Sequence, residues 1–64
     1  MIPDAYVYRA ANRLVAQYGA EALTEVNRFI CDAIDRKDQE RALLMLRIRM
    51  AIKVLQAPPA GLLH

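Results

Sequence analysis

The chain has 64 residues, is 56% hydrophobic and 25% charged, and carries a net charge of +2 at neutral pH. That length allows one small domain, a single copy of which hides only ~60% of its unfolded surface, and the apolar content excludes a disordered polypeptide. One cysteine and one histidine exclude an internal disulfide and a zinc site built from the pair, so oligomerisation is the expected source of extra stability.

The first predicted element is a helix over residues 4–18, with Asp4 as N-cap and Ile2 as a hydrophobic staple before it. Val7, Ala11, Leu14 and Tyr18 recur at spacings of four, three and four and form its apolar side, opposite Arg9, Asn12, Arg13 and Gln17. Gly19 stops it, because a glycine just past the last periodic residue supplies the left-handed backbone that closes a helix. Arg9 and Arg13 sit one turn apart beside Tyr6, a spacing that suits a nucleic-acid backbone, and equally a solvated face neutralised by Glu21 and Glu25. Tyr8 and Tyr18 read as amphipathic packing residues.

A second helix spans about 20–36. It has no good cap, its apolar side is Ala22, Leu23, Val26, Phe29, Ile30, Ala33 and Ile34, and its polar side carries Glu25, Arg28, Asp32 and Arg36 in pairing register. Cys31 borders the apolar side, where a thiol packs as a small hydrophobe. A redox role is the competing reading, disfavoured by Asp32 next to it.

Asp35-Arg36-Lys37-Asp38 forms the second turn, and Asp38 caps a third helix over about 38–56. Pro58 and Pro59 then break the ladder, so residues 57–64 read as an extended tail whose Leu62 and Leu63 either dock or fray, with His64 at the end. Residues 1–56 thus make one all-α domain.

The third helix is the most informative segment. At ~100° per residue it has two apolar sides: Leu44, Ile48, Ile52 and Leu55 on one, and Leu43, Leu46, Met50 and Val54 on the other. Helices 1 and 2 can cover one side in an antiparallel up-down-up arrangement. The other side, with Arg47 inside it, is the expected interface of a homodimeric helical bundle, made by Leu43, Leu46, Arg47, Met50 and Val54. An unpaired buried arginine is costly, so Arg47 is expected to bridge to Asp32, Asp35 or Glu40 across the dimer, or else to hold an anion.

Residues 1–38 hold five cations against six acids, and residues 39–64 hold four against one. This mild asymmetry leaves a nucleic-acid reading open, through Arg9, Arg13, Arg49 and Lys53, without the dense clustering such domains show. DNA reading by helix 3 in a helix-turn-helix is disfavoured, since Gln39, Glu40 and Arg41 give way at once to Ala42-Leu43-Leu44-Met45. With no serine, no internal histidine and no glycine-rich loop, there is nothing from which to build a nucleophile, base or phosphate cradle. No catalytic residue, cofactor or metal ligand is therefore expected. Met1-Ile2-Pro3-Asp4 lacks the basic start of a secretory signal, and no apolar run nears the ~20 residues of a membrane span, so a cytoplasmic protein is expected.

Over about residues 10–56, Tyr18-Gly19-Ala20-Glu21-Ala22, the Asp38 turn, and Ile48-Arg49-Met50-Ala51-Ile52 with Leu55 resemble a loose group of short, uncharacterised bacterial helical proteins. Members of that group commonly have an aromatic where this chain has Met45. The resemblance implies an all-α bacterial protein and no particular activity. The expected function is that of a non-enzymatic, homo-oligomerising interaction or regulatory module, a larger protein being a further candidate partner. The alternative is a small accessory nucleic-acid-binding protein with a basic outer face.

Overall fold

The computed structural model describes residues 2–57, and among them there are helices and no strands. Helix α1 runs Asp4–Tyr18, a 3-10 turn covers Gly19–Glu21, α2 runs Ala22–Asp35 and α3 runs Gln39–Gln56. The expectations for Leu62, Leu63 and His64 lie outside the described residues.

The ends of the helices show how local chemistry sets each boundary. Pro3, not Asp4, is the N-cap of α1: its backbone is extended (φ −71°, ψ 154°), and its carbonyl accepts from the amides of Tyr6 and Val7. Proline suits this place because it has no amide to leave unpaired and its φ is fixed near the helical value. Asp4 becomes the first helical residue, and its carboxylate is free to bind elsewhere. Gly19 ends α1 at φ 54°, ψ −125°, a positive-φ basin that side-chain-bearing residues rarely enter, while its amide donates to the Val15 carbonyl. The tight turn from Gly19 delays α2 to Ala22, and Glu21 before it makes no side-chain capping bond.

Helix α2 ends at Asp35, and its exit is a Schellman closure. The Asp38 amide donates to the Ala33 carbonyl at 2.8 Å and the Lys37 amide to the Ile34 carbonyl at 3.0 Å. That geometry needs a left-handed residue between them, and here it is Lys37, at φ 59°. Asp38 then caps α3, its carboxylate accepting from the Arg41 amide at 3.1 Å. This satisfies one of the orphan donors of the first turn.

The core joins Val7 and Ala11 of α1, Ala22, Val26 and Ile30 of α2, and Met45, Ile48, Ala51 and Ile52 of α3. Helix α3 packs against both others, and α1 and α2 touch each other least. Ala11, Ala22 and Ala33 are fully buried and Ala51 nearly so, which lets backbones approach closely where larger side chains would hold them apart. Between the helices, Arg49 Nη1 donates to Asn27 Oδ1 at 3.1 Å and Gln56 Nε2 to the Gly19 carbonyl at 2.9 Å. Going outward from the Asp38 turn, α3 therefore runs back along α2.

Several sequence expectations need correction. Leu46, assigned above to the free side of α3, is half-buried and packed against the core, and Leu55 on the opposite side is exposed. Two helices wrapping α3 cover more than a half-circle of it, which draws Leu44 and Leu46 under their edges together. Ile34 is exposed, because it sits where α2 is already turning into the Lys37 closure. Cys31 is exposed as well, so it does not pack as a small hydrophobe. Arg28 pairs with Glu25 at 3.3 Å, and Arg36 with Asp32 at 3.2 Å.

Candidate interaction surface

Once α1 and α2 are in place, one side of α3 still carries large apolar groups in water. Leu43 is 64% exposed, Met50 60% and Val54 60%. Steps of seven and four residues keep these three side chains within an arc of ~40° around the helix axis, over a length of about 16 Å. Isolated exposed apolar residues are ordinary, whereas an aligned set signals an interaction site.

Arg47 stands in the middle of this stripe, and the structure gives it a different partner from the expected ones. Its Nη2 donates to Asp4 Oδ1 at 2.7 Å and its Nη1 to the Ile2 carbonyl at 2.8 Å, both within the same chain. Of the acids expected to meet Arg47 across a dimer, Asp32 is paired within its own chain with Arg36. The pairing of Arg47 with Asp4 follows from Pro3 taking over the N-cap position, which leaves Asp4 on the first turn of α1 beside α3. Arg47 is thereby neutralised and held to one flank, with its side chain 41% exposed, and the apolar stripe is not interrupted by an unpaired charge.

Next to the stripe, α1 and α3 enclose an open groove of about 340 Å³ lined by Asp4, Val7, Tyr8, Arg47, Met50, Ala51 and Val54. Val7 and Ala51 are buried and form its floor, while Tyr8 on one helix and Met50 and Val54 on the other are its walls. Sequence reasoning missed this groove. Asp4 and Tyr8 are one turn apart on α1, which was the available signal, but nothing in the pattern showed that α3 would lie beside them.

The four cations of the nucleic-acid alternative are not gathered in one place by any interaction among the described residues. Arg9 and Arg13 share a shallow depression on α1 with Tyr6 and Ala10. Arg49 instead bonds to Asn27 of α2, and on α3 it points ~200° away from Arg47, the residue that marks the α1 side. Lys53 is exposed. The Nε of Arg49 is buried and finds no hydrogen-bond partner among the described residues. A wider concavity along α2 is bordered by Glu25, Arg28, Asp32 and Asp35, of which Glu25 pairs with Arg28 and Asp32 with Arg36 along the helix.

Among the described residues no group of three or more His, Cys, Asp or Glu side chains could hold a metal ion, and no helix is long and apolar enough to cross a membrane. Compared with known proteins, the chain matches no family model, no curated protein and no solved structure.

Proposed function

We propose that this chain is a non-enzymatic interaction module, an up-down-up three-helix bundle that pairs with a second copy of itself through the outer side of α3. The observation that carries the reading is the alignment of Leu43, Met50 and Val54, each about three-fifths exposed, along one side of a helix whose Ile48, Ala51 and Ile52 are buried against its neighbours. Fully burying such side chains is worth ~1.5–3 kcal/mol each, and about three-fifths of that remains to be gained here, or roughly 5–11 kcal/mol over the six side chains of two copies. Association itself costs ~4 kcal/mol or more. The balance describes a weak, concentration-dependent dimer, suited to a module whose pairing is regulated by its own abundance.

The test is light scattering across a dilution series up to millimolar protein, at low and high salt. A dimer that forms with concentration and persists in salt is expected, because apolar contacts are little screened whereas phosphate contacts weaken steeply. Met50→Glu should leave the protein monomeric with its helix content intact. A wild-type protein that stays monomeric throughout, or a Met50→Glu variant that dimerises equally well, would overturn the proposal. Salt-sensitive binding of an oligonucleotide, lost on changing Arg9 and Arg13 to Gln, would favour the nucleic-acid reading instead.

A further inference from the structure

We infer that the two copies meet in an antiparallel register, with Leu43 of each inserted into the groove between Tyr8, Met50 and Val54 of the other. This rests on the self-association proposed above and specifies how that surface is used.

The stripe on α3 is not uniform along its length. At its N-terminal end Leu43 projects into solvent. At its C-terminal end Met50 and Val54 are one wall of the groove whose other wall is Tyr8 and whose floor is Val7 and Ala51. The surface thus has a projection and a recess, set about 10–16 Å apart along a single helix. Parallel copies would place projection against projection and leave both recesses open. A two-fold axis perpendicular to α3, passing between the levels of Arg47 and Met50, brings each Leu43 level with the partner's groove and fills both recesses at once. This is the self-complementary arrangement that a closed symmetric dimer requires.

Charge and helix dipoles agree with this register. Antiparallel α3 helices set opposite dipole ends side by side. The Arg47 guanidinium, at the rim of the groove, is already bound to Asp4 and the Ile2 carbonyl of its own chain, so closing the interface strands no charge. The groove volume of about 340 Å³ leaves ample room for the four-carbon side chain of a leucine, and its floor residues are small.

The wild-type protein can be tested directly. In an equal mixture of isotope-labelled and unlabelled chains, at a concentration where light scattering shows dimer, filtered nuclear Overhauser spectra should connect the Leu43 methyls of one chain to the Tyr8 ring and Val54 methyls of the other. A second readout uses cysteines in a Cys31→Ala background. Leu43→Cys mixed with Val54→Cys should form the crossed disulfide on mild oxidation, and neither variant alone should link to itself. Leu43→Ala should raise the dimer dissociation constant on the order of 30- to 100-fold, since each dimer loses two partly buried side chains. A dimer whose chains link Leu43→Cys to Leu43→Cys, or that shows no Leu43 to Tyr8 contact, would overturn the antiparallel register and leave self-association standing. A monomer at every concentration would overturn both.

Discussion

Replacing Lys37 with glycine should make this protein more stable, even though the substitution removes a side chain and adds no contact. Lys37 sits at φ 59° because the Schellman closure of α2 demands a left-handed residue there. For a residue with a Cβ that conformation costs ~1–2 kcal/mol. Glycine escapes this cost but loses more backbone freedom on folding, by ~0.5–1 kcal/mol. The difference leaves a net stabilisation of about 0.5–1 kcal/mol, which for a domain of this size raises the melting temperature by roughly 2–8 °C. Urea unfolding followed by circular dichroism, at one fixed protein concentration, measures it as a higher midpoint with an unchanged slope. Gly19 is the internal control. A Cβ built there meets no atom within 4 Å, so Gly19→Ala tests backbone conformation alone and should destabilise by ~1–2 kcal/mol. If Lys37→Gly left stability unchanged or lowered it, or if Gly19→Ala were tolerated, the account of the two turns would be wrong.

Three further substitutions probe the packing and the caps. Ile52→Ala, at one of the two largest fully buried side chains, should cost ~2–5 kcal/mol, a large share of the ~3–10 kcal/mol expected of so short a chain, and is read as a partly unfolded far-ultraviolet spectrum at room temperature. Asp38→Ala removes the bond to the Arg41 amide and should cost ~1 kcal/mol in the same urea assay, most of it recovered by Asp38→Ser. Arg49→Met deletes a buried, unpartnered Nε and frees an exposed Asn27 to bind water, so stability should hold or rise by ~1–2 kcal/mol. A loss of more than ~1 kcal/mol would show that Arg49 has a partner in solution.

The helical class and its punctuation were legible because they depend on neighbours in sequence. Gly19 and Asp38 interrupt continuous apolar periodicity, and each is chemically suited to one kind of helix end. The start of α1 was misread because Pro3 and Asp4 both suit a helix N-terminus, and only the position of Arg47, forty-three residues on, shows that Asp4 is spent on a side-chain bond. The Lys37 turn was placed correctly, but its left-handed residue could not be identified, since lysine gives no hint of positive φ. On α3, periodicity separated Leu43, Met50 and Val54 from Ile48 and Ile52. It failed for Leu46, which lies where the covered arc of α3 ends and is drawn in against the core. The groove beside Tyr8 belongs to two helices far apart in sequence, and no single-helix pattern contains it.

The central place of α3 has a consequence for the order in which the chain acquires its structure. Helices α2 and α3 are adjacent in sequence, joined by a three-residue connection, and they make the most extensive contact in the molecule. Helix α1 is bound chiefly to α3, the element furthest from it along the chain, and has little hold on α2. Closing the hairpin encloses a short loop, whereas docking α1 encloses the whole of α2 and costs more chain entropy before any contact offsets it. The hairpin should therefore form early and α1 join it afterwards. Core truncations at Ile48 or Val26 would then slow folding, while truncation at Val7 would mainly speed unfolding. Because Val7 and Tyr8 arrive with α1, the groove beside α3 is completed only in this last step, so a half-folded chain presents the bare stripe without the recess that receives its partner.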